Sequence, residues 1–460
     1  MWKNVFAGVV VSMALSSEGA AVERVFARQM WPWQTHFEVS YVLRTASSEA
    51  VDVSLKVSAG GDEYIIPAAE LLGETAGLTA GEYKLVWDST ASSAPTAAWL
   101  KANSGRLAFS VVTAPSASAA EYLVIDLSGG PEAASWPSER ITGKPYGGWT
   151  VEHKTTKLVL RRIYAGGSGN VFSSEKGVTF KFGCDSGADQ AYKCSDDFDA
   201  VDATLTNDYW IGVFELTQKQ YQLITGDSVF SAAFTTGDAY PQTKIGYYSH
   251  MRGETAGCLW PRSSDVDADS LMGILRAKVA LPRAIPPEWK FDLPTEAQWE
   301  YACRAGTTGP WNNGGTYDVY IYDETKSLEG DRNLDLVGWN PANCNANGKP
   351  VGEKLANAWG LYDMHGNAAE YCIDYNYAGV TKKGRSGFEP MGYAPSSATT
   401  TSSARVVKGG GYSIYWTTVT SHRYWKGHRS CGHVRTYNGA ASDYNTCRIT
   451  LRNSATNAGH

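Results

Sequence analysis

No CxxC pair occurs in this chain, although it holds 8 cysteines in 460 residues. The spacings of Cys184, Cys194, Cys258, Cys303, Cys344, Cys372, Cys431 and Cys447 therefore disfavour a zinc ribbon. A GxSxG elbow and a GxxxxGK[ST] phosphate loop are also missing, so neither a serine-hydrolase nor a P-loop mechanism has an anchor. Charge is sparse at 19%, and the 41 basic and 47 acidic residues are interspersed, for a net charge of −6. With no basic run or arginine-rich helix, nucleic acid is not an expected partner. Past the N-terminus no apolar segment is long enough to span a bilayer.

What the chain does have is aromatics and glycine: 16 Trp, 26 Tyr and 47 Gly describe a turn-rich globular protein, and the length suggests two domains. Residues 1–21 read as a secretory signal peptide. Lys3 precedes the short apolar run Val5 to Leu15, and Gly19-Ala20-Ala21 offers small residues for cleavage after Ala21; the alternative is a buried first element. Export would permit disulfides among the cysteines, with the pairing undetermined.

From Phe37 onward apolar residues alternate with polar ones. Phe37, Val39, Tyr41 and Leu43 form one run, Val51, Val53, Leu55 and Val57 a second, Tyr83, Leu85 and Trp87 a third, and Leu107, Phe109 and Val111 a fourth. A period of two means half-buried strands, so residues 22–127 read as a small all-β sandwich. The Gly/Pro/Ser-rich residues 128–148 read as a linker, and residues 149–455 as a second, loop-rich domain. Two short helices are marked by capping boxes: Thr217 with Gln220, stopping at Gly226, and Thr295 with Gln298, stopping at Gly306.

Four segments then fall in a characteristic order: "ATLTNDYWIGVFELTQKQY" from Ala203, "FDLPTEAQWEYACRAGT" from Phe291, "NAWGLYDMHGNAAEYCIDY" from Asn357 and "RVVKGGGY" from Arg405. Together they resemble the sulfatase-modifying factor domain, the family of formylglycine-generating enzymes, over roughly Lys154 to Leu451. The resemblance implies an α+β, loop-rich fold similar to a C-type lectin. It also implies an oxidase that converts a sulfatase cysteine to formylglycine with molecular oxygen and copper(I) held by two thiolates, soft ligands suited to Cu(I).

Here the two thiolate positions, counted from Tyr412, are Ile414 and Val419. The pocket serine of the family corresponds to Gly411 and a motif tryptophan to Ala369. Copper is accordingly not expected, and the protein reads as an exported binding or scaffolding module that has lost the oxidase centre. The competing reading is a formylglycine-generating or related metal-dependent oxidase with a rearranged site. Iron-dependent relatives add histidines from a second domain, where this chain offers only His36.

The resemblance further implies a calcium ion held by the Asp363 side chain, the carbonyls of Gly366 and Ala368, and the Glu370 carboxylate, a hard-oxygen set suited to that ion. The alternative is that Asp363 and Glu370 only cap turns. A metal through His422, His428, Cys431 and His433 fits no standard spacing, and a hydrogen-bonding loop is the competing reading there. The aromatics and cations Tyr412, Tyr415, Trp416, Arg423, Tyr424 and Trp425 have the composition of a ligand-binding surface for a glycan, a sulfated glycan or a protein, with core packing as the alternative for about half of the region's aromatics.

Overall fold

The computed structural model describes residues 20–30, 35–46, 49–90, 95–116, 119–165, 177–183, 201–227, 236–253, 260, 263–315, 318–323, 328–345, 347–375, 387–388, 405–412 and 445–453. It is strand-rich, with few and short helices, as an α+β chain should be.

The first region follows directly from alternation. Along Val51–Ala59 every second residue is buried, and this strand pairs antiparallel with Asp62–Ile66 and with Ala108–Pro115. Gly60 and Gly61 make the connecting turn at φ 63° and 98°, the left-handed pair that a two-residue hairpin demands and glycine supplies without strain. A second antiparallel sheet runs in the order Ala20–Gln29, His36–Thr45, Gly81–Asp88, Leu71–Leu72. Both sheets contribute to one apolar cluster in which Val39, Leu43, Leu55, Val57, Leu85 and Trp87 are fully buried. Burying a leucine such as Leu55 favours folding by roughly 1.5–3 kcal/mol. Ala20 and Ala21 already pair with Thr45 and Arg44, so this strand begins inside the segment read as a leader; residues 1–19 lie outside the described residues.

The stretch read as a linker does not behave as one. Trp136–Thr142 is a strand, and it pairs with Glu121–Asp126, which in turn pairs with Lys157–Ile163. By sequence Glu121–Asp126 falls in the sandwich, Trp136–Thr142 in the linker and Lys157–Ile163 in the second domain; tertiary pairing joins all three in one seven-stranded sheet. Trp136 explains the difference, because it is fully buried and donates from Nε1 to the Gly130 carbonyl. Surrounding Gly and Pro concealed one buried anchor.

In that sheet Thr450–Asn453 lies between Tyr209–Gly212 and Trp289–Asp292, so the end of the described chain is paired to strands far earlier in sequence. Both expected capping boxes form. Thr217 and Gln220 start Gln218–Thr225, which stops at Gly226 with φ 80°. Thr295 and Gln298 start Glu296–Arg304, whose left-handed stop falls at Ala305, one residue before Gly306. The two regions meet through polar contacts as well as apolar ones. His36 Nε2 lies 3.0 Å from Asn333 Oδ1, and Lys144 reaches Glu74 at 2.5 Å. His36 is thus fully buried as a tie between regions.

Candidate functional site

The four motif segments converge on one short strand, Ala369–Tyr375, every residue of which is buried. It pairs antiparallel with Arg405–Lys408 and parallel with Asn445–Cys447. Because its flanks are both occupied and its faces covered, its polar side chains need partners inside the protein.

Glu370 finds them in Arg448, at 2.6 and 2.9 Å in a two-pronged contact, and in the Trp299 Nε1 donor at 2.7 Å. Arg448 is fully buried and also donates to the carbonyls of Gly212 and Tyr362. Glu215, from the first motif, accepts from the Asn367 side chain at 2.6 Å and the Ala368 amide at 2.8 Å. Burial, with Asp363 and Glu370 nearby, pushes the Glu215 carboxyl well above its ordinary range. From the second motif, Glu296 and Glu300 both accept from Lys408 Nζ, at 3.3 and 3.2 Å, and Glu300 also pairs with Arg304. Burial alone would raise the Glu300 carboxyl, but Arg304 and Lys408 outweigh it and hold it below the usual range. Asp374 accepts from the Glu296 amide at 2.6 Å.

Asp363 differs from all of these. It sits at φ 54°, is 1% exposed, and takes one hydrogen bond on Oδ2 from the Gly352 amide at 2.7 Å. Its Oδ1 has no hydrogen-bond partner. Burial raises the carboxyl to about 6, only partly opposed by the Gly352 bond and the charges of Arg448 and Lys154. A buried oxygen without a donor is the kind of atom a hard cation would satisfy. The fit to calcium is therefore good at Asp363 and weak at Glu370, whose two oxygens are both taken by Arg448. Among the described residues no group of three or more His, Cys, Asp or Glu is arranged to hold a metal ion.

The other residues singled out by sequence are spread unevenly. Gly411 and Tyr412 are buried beside the network; Tyr412 is 1% exposed, its amide donates to the Asn367 carbonyl, and its own carbonyl accepts from Cys344 Sγ. That places Tyr412 in the core and off any ligand-binding surface: the backbone bonds on both sides draw it in. Ala369 is fully buried in the central strand. Ile414, Val419, Tyr415, Trp416, Arg423, Tyr424, Trp425, His422, His428, Cys431 and His433 lie outside the described residues. Cys303, Cys344, Cys372 and Cys447 are buried, and no disulfide joins any of them to another described cysteine.

Sequence reading missed Glu215 and Arg448 as organisers of this network. The signal was there: each is a lone charge inside an otherwise uncharged, mostly apolar run, "YWIGVFEL" and "TCRITL", and a charge buried with such a run needs polar partners.

The family model described as "Sulfatase-modifying factor enzyme 1-like domain" matches residues 176–440. Among curated proteins the chain is 27% identical over 187 residues to "Chaperone protein LppX" of Paenibacillus barcinonensis, spanning 37% of this chain and 63% of that protein. It is 34% identical to "Formylglycine-generating enzyme" of Mycobacterium tuberculosis, over 25% of this chain and 39% of the relative. The corresponding enzyme of Thermomonospora curvata is 32% identical, over 26% and 38%. The match thus spans less than two thirds of the length of each of these relatives. Among solved structures, "Treponema denticola variable protein 1" aligns at 20% identity and a TM-score of 0.41, covering 66% of this chain and 98% of that one.

Proposed function

The chain belongs to the sulfatase-modifying factor enzyme 1-like family, and from that premise we propose that this member is an exported binding or scaffolding module in which the family domain no longer works as a copper oxidase. One observation carries the reading: the two positions that supply thiolates to copper in the family are the apolar Ile414 and Val419. Soft Cu(I) has no ligand in a branched hydrocarbon. Gly411 and Ala369, in place of a pocket serine and tryptophan, support the same reading. A relative bearing the name of a chaperone is consistent with a role in holding another protein.

On this reading the second region is a C-type-lectin-like scaffold and the two N-terminal sheets are a β-sandwich accessory domain. The recognition surface is the C-terminal stretch with Tyr415, Trp416, Arg423, Tyr424 and Trp425, facing a glycan, a sulfated glycan or a protein. Calcium, where it binds, is held by Asp363 Oδ1 with the carbonyls of Gly366 and Ala368 and stabilises the loop, with no part in chemistry. Calcium titration followed by thermal unfolding checks this: wild type should gain stability from calcium and the Asp363→Ala variant should not.

The second reading is formylglycine generation itself, favoured by the two relatives named for that activity. Oxygen consumption with copper(I) and a cysteine peptide taken from a sulfatase separates the two. The binding reading expects neither stoichiometric copper nor turnover; copper-dependent conversion of the peptide cysteine to an aldehyde would overturn it.

A further inference from the structure

A cleft of about 490 Å³ opens where the N-terminal sheets meet the second region. Ser40, Tyr41, Tyr83 and Lys84 line it from one side, Lys354 and Tyr362 from the other. Its size is that of a small-molecule site. Asp363, Gly366, Ala368 and Glu370 are not among the described residues that line it.

Arg24 also reaches this lining, and does so at a cost. The register of its strand slips between Glu23 and Phe26: Glu23 opposes Val42, Phe26 opposes Ser40, and Arg24 and Val25 share the place opposite Tyr41. Arg24 stands at φ 51°, a left-handed conformation that favours glycine. Bulges of this kind redirect side chains toward sites, and an arginine kept where glycine would be easier points to a use for the side chain. Arg24 is exposed and has no hydrogen-bond or ion partner among the described residues.

The remaining wall chemistry is specific. Lys144 is paired with Glu74 at 2.5 Å and lies 4.1 Å from the centre of the Tyr83 ring. Lys84 is paired with Glu38 at 3.2 Å, outside the cleft. Lys354 donates to the Asp335 carbonyl at 2.6 Å and rests 3.9 Å from the Trp339 ring centre, with no carboxylate among the described residues as ion-pair partner. Burial lowers the Lys354 ammonium below its ordinary range, so added negative charge beside it would be welcome. The Tyr41 hydroxyl is buried with no hydrogen-bond partner. Glu82 is the lining carboxylate with no such pairing. Setting paired charges aside leaves Arg24 and Lys354 against Glu82, a surplus of one positive charge.

We propose that this cleft binds a small, singly charged anionic sugar bearing a carboxylate or a sulfate. Arg24 and Lys354 would take the acid group, the tyrosine rings would lie against the ring face, and Ser40, Tyr41 and Glu82 would meet hydroxyls. A multiply charged phosphate ester fits worse, since Glu74 and Glu82 share the walls and no nest of glycine amides lines them.

Calorimetry on the full chain tests this with D-glucuronate and N-acetylglucosamine 6-sulfate, against glucose, N-acetylglucosamine and inorganic sulfate. The charged sugars should bind at least about tenfold more tightly than their neutral counterparts and than sulfate alone. The two acid groups are separate arms, and binding in either supports the proposal. Arg24→Gly should cut affinity about tenfold while leaving thermal stability equal or higher, because glycine relieves the backbone. Tyr41→Phe, which removes a hydroxyl that bonds to nothing in the free protein, should weaken binding by less and leave stability unchanged. Failure of both acid sugars to bind more tightly than their neutral counterparts, sulfate binding as well as the sugar acids, unchanged affinity in Arg24→Gly, or no saturation by either acid sugar at millimolar concentration would each overturn it. None of these outcomes depends on whether the copper or calcium positions are filled.

Discussion

The two regions of this protein are held together in contrasting ways. The N-terminal sheets bury alternating Val, Leu and aromatic side chains in one apolar cluster, with their ion pairs, such as Arg44 with Glu23 and Lys56 with Glu63, near the surface. The second region buries charge. Arg448 with Glu370, Lys408 with Glu296 and Glu300, and Asp292 with Arg252, Arg276 and Arg452 all lie inside it. A loop-rich region has few long strands to saturate its backbone, so charged side chains tie distant segments through directional bonds. Packing tolerates substitution by degrees, whereas a buried ion pair that loses one partner leaves the other charge stranded.

The largest effect should follow from Asp292→Asn, which leaves three arginines facing a neutral amide. A loss of about 3–5 kcal/mol in chemical denaturation is expected, and hydrogen exchange should localise it to the second region. Leu55→Ala, in the N-terminal cluster, should cost about 2–5 kcal/mol through lost burial and the cavity left behind, and it should do so equally at every pH. If exchange showed the two variants loosening the same segments, the contrast between the regions would fail.

Acid sharpens the same comparison. Burial would raise the Asp292 carboxyl, but Arg252, Arg452 and Arg276 outweigh it and hold it below its ordinary value, and Glu300 is likewise held down by Arg304 and Lys408 against burial. A carboxyl depressed in the folded state contributes stability above its unfolded pKa and loses that contribution as pH falls through the folded value. The second region should therefore weaken first as pH drops below about 4, while amides of the Val51–Ala59 strand stay protected; simultaneous loss in both would contradict this. The smallest effect is local. Thr217→Ala removes the acceptor for the Gln220 amide, and about 1 kcal/mol should be lost without change in either region's core.

How much of this could be read from the chain alone differs by region in the same way. Val51 to Val57 announced their strand because a half-buried strand writes its environment into a period of two, and Thr217 and Thr295 announced their helices because caps act over three residues. Trp136 was illegible: surrounding Gly and Pro signalled a loop, and only pairing with Glu121–Asp126 shows a strand. At the candidate site the acidic residues Asp363 and Glu370 were legible by motif. Their unequal situations were not, since one lacks a partner on Oδ1 and the other holds Arg448, which follows it by 78 positions in sequence. Tyr412 looked like a surface aromatic and proved to be core.

The sequence by itself determined the family, the alternating strands, the two capped helices and the apolar residues at the copper positions, because each depends on residue type at short spacing. Only the tertiary structure decided which charges are neutralised inside, which strands join the larger sheet, and that Arg24 and Lys354 line one cleft. Those outcomes depend on segments far apart in the chain being brought to within a few ångströms, and burial then sets the strength of every charge they carry.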